Sequence, residues 1–171
     1  MVVNDQKNER YKIPYSQNIV AIMNELINDQ ELIKLLYYNE DNPYDKPDLS
    51  LPATNLIRNK IFPFPFNPRI QTEASCQLRV FYASGYFTND ETYSPSRLIF
   101  EIVVHKDLWL INDGTKSLIR PYEILNRLQI IFHKRSIGTL GRLRFRPWSF
   151  GFGNEHFDLI RFEAESETFK G

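Results

Sequence analysis

The residues best suited to chemistry are few and scattered. His105, His133 and His156 stand in different stretches of the chain with no metal-ligand spacing between them. His105-Lys106-Asp107 is the most site-like fragment, since an imidazole beside a carboxylate can hold or pass a proton. With His156 it would supply the polar groups of a small binding pocket or enzyme. Its place at the end of a strand-like run also suits an ordinary exposed strand end. Gly114-Thr-Lys116-Ser precedes a helical stretch, but it lacks the first glycine of a phosphate-binding loop and does not follow a buried strand. Gly138-Thr-Leu-Gly141 is too short for a dinucleotide fingerprint. No serine elbow, zinc-protease helix motif or paired carboxylate motif is present. Catalytic, cofactor-binding and metal-ligating residues are therefore none on this reading, and the chain is expected not to be an enzyme.

Composition narrows the partners. The 171 residues carry 21 basic and 21 acidic side chains. Neutrality argues against general nucleic-acid binding, which needs a basic excess over phosphate. Aromatic residues make up 14% of the chain, which suits both a filled core and adhesive interfaces. Cys76 is the single cysteine, so neither an internal disulfide nor a cysteine zinc site is available. The N-terminal Met1–Arg10 is polar and unlike a signal peptide. No apolar run approaches the roughly 20 residues that span a bilayer. The expectation is a soluble protein in the cytoplasm where it is made, with no membrane partner.

Two segments are unusual. Residues 39–73 hold six of the ten prolines (Pro43, Pro47, Pro52, Pro63, Pro65 and Pro68). Each removes an amide donor and fixes φ, so the stretch is too broken for a helix or a central strand. Ile61, Phe62, Phe64 and Phe66 make it too apolar for a solvated linker. It reads as a stiff, greasy arm that must lie on its own domain or on a neighbouring subunit. The second segment is Trp148-Ser-Phe150-Gly-Phe152-Gly-Asn154, where aromatics alternate with glycines at the expected tip of a hairpin. Such a tip either folds back on its own core or enters a partner as aromatic anchors do.

The positioning elements follow from periodicity. Residues 1–15 form a polar arm. Ser16 can cap a helix carrying Ile19, Ile22, Met23, Leu26 and Ile27. Asn28-Asp29 is a point where it can break, Asp29 then capping a second short helix; read as one helix or two, the stretch shows an apolar face and ends near Tyr38. The period then changes to two. Residues 76–87 read as a strand, and 97–109 as a longer one, apolar on both faces and so expected to be central. Asn112-Asp113-Gly114 is a turn. A helix is predicted over 117–134, with Pro121 in its first turn. Strands at 140–146 and 157–168 pair as a hairpin. There Arg142 and Arg144 meet Glu165 and Glu163 across the strands, Arg144 near Glu163 and Arg142 near Glu165. The fold class is α+β in a single domain over residues 1–171. An antiparallel or mixed four-stranded sheet is packed by two main helices in the order α-β-β-α-β-β, with the proline-rich arm appended.

This order and length resemble the tail-terminator and head–tail joining (neck) proteins of tailed bacteriophages. The fragments that carry the resemblance are Asn28-Asp-Gln-Glu-Leu-Ile-Lys-Leu-Leu-Tyr-Tyr38 with the acidic, proline-containing run after it. Ile102-Val-Val-His-Lys-Asp-Leu-Trp109 and the helix around Pro121–Phe132 add to it. The resemblance implies a structural virion protein without cofactors, forming a homo-oligomeric ring, commonly a hexamer. Such a ring sits at the end of the tail tube, with the tube protein and a neck or connector protein as partners. The site residues are then contacts. Phe62, Phe64 and Phe66 of the arm, or Trp148, Phe150 and Phe152 of the tip, would grip an adjacent subunit or partner.

Overall fold

The structure is a computed structural model that describes residues 14–65, 73–85 and 96–167, the side chains of 166 and 167 excepted. Phe66 lies outside the described residues.

Helix α1 (Tyr15–Ile27) buries Ile22, Met23, Leu26 and Ile27. Ser16 does not cap it: the helix already includes Tyr15, and Pro14 precedes it with no side-chain cap. The break at Asn28-Asp29 is real. Asp29 caps α2 (Gln30–Tyr37), its Oδ1 accepting the Leu32 N–H at 2.9 Å. Leu32, Ile33, Leu35 and Leu36 form the buried stripe of that helix.

The proline-rich segment is no free arm. It makes short 3-10 turns at Pro43–Asp45 and Thr54–Leu56, then strand β1 (Ile61–Phe62). Backbone groups anchor it: Ala53 N–H donates to Ile27 O at 2.9 Å, and Leu78 N–H to Lys60 O at 2.8 Å. Lys34 Nζ donates to Tyr44 O, and Tyr38 Oη to Pro47 O. Leu56, Ile61 and Phe62 are buried. The segment therefore lies on its own domain, because its apolar residues complete a core that the helices leave open.

The remaining strands are β2 (Cys76–Gly85), β3 (Ser96–His105), β4 (Leu110–Asn112), β5 (Ser117–Ile119), β6 (Arg142–Phe152) and β7 (Phe157–Glu167). The main sheet runs β1-β2-β3-β7-β6, parallel between β1 and β2 and antiparallel elsewhere. It has five strands, not the four expected, because two residues of the arm join its edge. β4 and β5 form a separate small hairpin around the Asn112–Gly114 turn, where Asp113 Oδ1 accepts from the N–H groups of Thr115 and Lys116, both at 3.0 Å. Residues 117–119, expected to be helical, belong to β5, and Leu118 pairs with Ile111. Helix α3 (Arg120–Phe132) starts after them, with Pro121 in its first turn. The element order is thus α-α-β-β-β-β-β-α-β-β rather than α-β-β-α-β-β. The α+β class stands.

β3 is the middle strand, as its two apolar faces require. Leu98, Phe100, Ile102 and Val104 belong to the core shared with the helices, while Ile99 and Val103 are buried on the opposite face. Phe100 sits among the rings of Phe132, Phe145 and Phe162, with centroids 5.2–5.6 Å away.

The hairpin of β6 and β7 forms in a register two residues from the expected one. Arg144 faces Glu165 and Arg142 faces Glu167. A shift of two keeps every side chain on its face, so the hydrophobic pattern alone does not exclude it. Between the pairs Phe145–Ala164 and Trp148–Phe162 a bulge that contains Arg146 and Pro147 moves the register by one further residue. Proline cannot donate to a ladder, and a bulge is one of the few places a strand accepts it. β6 therefore continues through Pro147 to Phe152, and the turn lies at residues 153–156, beyond the expected tip.

Candidate interaction surface

Trp148, Phe150 and Phe152 alternate along β6 and point to one face of the sheet. Trp148 and Phe150 pair across the strands with the core residues Phe162 and Ile160, and Phe152 pairs with Asp158, so this is the face that packs on the helices. The helix layer does not reach far enough to cover them. Trp148 is 45% exposed, Phe150 51% and Phe152 73%. They are braced at their bases. Tyr122 of α3 lies against Trp148 with ring centroids 5.8 Å apart, and Trp109 meets Phe150 at 5.6 Å. Lys106 Nζ stands 5.6 Å from the Phe152 ring, a cation–π contact. Leu110, also exposed, belongs to the strand next to Trp109. The segment is not a tip folded back on the core but part of strand β6, an edge strand among the described residues, and its aromatic row is exposed.

The arm residues stand differently. Phe62 is 3% exposed. It pairs with Arg79 on the sheet and holds the Phe64 ring at 5.4 Å. Phe62 is thus an internal packing residue, and its assignment as a grip on another subunit is corrected. Phe64 is half-buried.

The charged residues sort into cross-strand pairs with changed partners. Glu163 accepts from Arg97 of β3, at 3.0 Å from Nε, and this hydrogen bond holds its carboxyl below the usual range. Glu165 accepts from Arg146 at 2.5 Å. Glu101, 2% exposed, lies between Arg79 at 3.4 Å and Arg161, whose Nε donates at 2.8 Å. The three form a charged ladder across β2, β3 and β7.

The structure does bring His105, Asp107 and His156 together. The two imidazoles stack nearly parallel with centroids 5.7 Å apart. His105 is buried against Phe157, and its Nδ1 accepts the Asp107 N–H at 3.2 Å. That bond caps the 3-10 turn Lys106–Leu108. His133 is elsewhere, its Nδ1 accepting the Phe145 N–H. Among the described residues no group of three histidine, cysteine or acidic side chains is arranged to hold a metal. Asp41, Asp107, Leu110, Ile111, Asn112 and Ser117 line an open groove of about 310 Å³. Cys76 is buried, which pushes its thiol up to about 11 and makes it a poor nucleophile.

One residue that the sequence did not mark is central to the architecture. Arg120 is fully buried. Its guanidinium donates to the carbonyls of Leu108, Leu35, Tyr38 and Glu40 at 2.6–2.8 Å. It ties the C-terminal end of α2 and the start of the arm to the first turn of α3. A helix C-terminus presents unpaired carbonyls and partial negative charge, and the planar fork of arginine matches several of them at once.

These features define an α+β protein whose distinctive surface is the β6 strand, an edge of the sheet among the described residues, with its exposed aromatic rings. Among the described residues no helix is long and apolar enough to cross a membrane. The chain belongs to the YomW family, whose model matches residues 29–165. The name is that of a phage-derived family of SPβ-prophage type, which agrees with a phage origin without singling out a tail terminator. No curated protein and no solved structure matches the chain.

Proposed function

We propose that this chain is a structural virion protein of a phage, a tail terminator or neck component. It forms a ring at the end of the tail tube and joins it to the head connector, without catalysing a reaction. The observation that carries the reading is the row Trp148, Phe150 and Phe152, exposed on an edge strand and braced from below. Exposed aromatics on a rigid element suit an anchor that is buried only in an assembly. The phage-derived family name supports the same reading. The partners are a tail tube protein, a neck protein and further copies of the chain, and the place of action is the virion after assembly in the host cytoplasm.

Electron microscopy of the purified protein with and without tail tubes tests it. The expected result is rings, or density capping one tube end. The variant with Trp148, Phe150 and Phe152 all replaced by Ser should fold and lose the capping, since these side chains contribute little to the core. A wild-type protein that ignores tubes, or a triple variant that still caps them, overturns the reading. In the first case the stacked His105–His156 pair and the groove beside Asp107 favour the second reading, a small binding protein or enzyme.

A further inference from the structure

The aromatic row and the unpaired backbone of β6 coincide. Gly153 N–H donates to Phe157 O, so the backbone of Gly153 faces β7. Backbone groups alternate in direction along a strand. Gly151 and Ser149 therefore also face β7, and Phe152, Phe150 and Trp148 direct their N–H and C=O groups away from the sheet. Among the described residues β6 is the last strand on this side. The other end of its edge is already occupied. Leu143 exchanges hydrogen bonds with Lys134 and Arg135, and Phe145 N–H donates to His133. Pro147 has no donor. Among the described residues the free edge is thus a short window from Trp148 to Phe152, bounded by the bulge and by the hairpin turn.

We propose that this window pairs with the same window of a second copy, as antiparallel β6 strands related by a two-fold axis through Phe150. In this register Phe150 meets Phe150 of the second copy, and Trp148 meets Phe152. All are outward-facing positions, so each pair exchanges both of its backbone hydrogen bonds. A two-fold axis normal to the sheet leaves the rings of both copies on one face, where the two aromatic rows join. The groups beside the window select the same register. Sliding one copy toward its bulge would run the pairing into Pro147, which has no donor, and into Leu143 and Phe145, whose outward groups are already bonded. Centring on Phe150 places the stripe Arg142, Arg144 and Arg146 of each copy beside the other copy's turn, which carries the exposed Glu155. Sliding the other way runs the window into that turn.

A two-fold contact does not build a ring by repetition. It holds free subunits in pairs and covers the row that a virion partner would use. The pair itself does not depend on the virion reading and is tested without tubes.

Sedimentation equilibrium of the full chain over a concentration series should show a monomer–dimer equilibrium. Phe150→Pro, which removes the outward N–H at the axis, should abolish the dimer. Phe150→Cys should form a disulfide-linked dimer on mild oxidation, because Cα atoms in such a pair lie about 5.5 Å apart, within disulfide reach. Val20→Cys, exposed on α1, is the control and should not. Three results each overturn the proposal: a wild-type monomer throughout, a dimer that persists in Phe150→Pro, or Phe150→Cys linking no faster than Val20→Cys. The cysteine comparison decides the matter even if the proline variant does not fold.

Discussion

Arg120 shows how much of this fold rests on single groups. Its charge is buried without a direct carboxylate partner among the described residues, and burial pushes its pKa below the ordinary arginine value. Four carbonyls from distant stretches of the chain stand in for that partner. Arg120→Met would leave those acceptors without a donor, and each orphaned buried acceptor costs roughly 1–3 kcal/mol. The expected loss on urea unfolding is at least about 3 kcal/mol. Arg120→Lys should recover only part of it, since an ammonium cannot fork to four acceptors. In the sequence Arg120 reads as an ordinary basic residue before a proline. Nothing in its neighbours announces that the end of α2 will be delivered to it from 80 or more residues away. Asp29 is the opposite case. Its capping role was legible because a cap needs only the residue and the apolar stripe after it, and the structure adds the Arg127 ion pair at 2.6–2.7 Å.

At the scale of elements, the sequence revealed what is periodic and local. The two short helices, the central β3, the Asn112–Gly114 turn and the existence of the final hairpin were all legible. The largest departure lies at a proline: the strand expected over 140–146 stops before Pro147, whereas a bulge carries β6 through it to Phe152, and the expected tip is an edge row. The prolines of residues 39–73 argued against a helix or a central strand, and Ile61–Phe62, between Lys60 and Pro63, is a two-residue edge strand that this argument left open. Edge positions are where proline neighbours are tolerated. The arm is accordingly part of the core. Phe62→Ser should destabilise the fold by roughly 3–5 kcal/mol, as deletion of a buried aromatic does. Loss of assembly in that variant would follow from unfolding, and circular dichroism beside a gel-filtration profile separates the two. The aromatic row differs, because Trp148, Phe150 and Phe152 are alternate residues of a strand with much of their surface in water.

For the whole molecule, the sheet order β1-β2-β3-β7-β6 is the decisive fact. β7 follows every other strand in the chain, yet it lies inside the sheet, paired with β3 on one side and β6 on the other. A chain ending at residue 155 keeps all three helices and most strands but leaves β3 and β6 with nothing between them. It should show no cooperative thermal transition by circular dichroism, while the full chain does. A fragment with a sharp transition would mean that the helices and β1–β3 form a unit of their own. The same order has a consequence in time. During synthesis the chain leaves the ribosome with β3 and then β6 made and their shared neighbour still missing. The sheet closes only when β7 emerges, so the aromatic edge becomes a finished surface only after the other described strands have been made. Until then β6 lacks the neighbour that holds it in the sheet, and the aromatic row has no ordered surface to stand on.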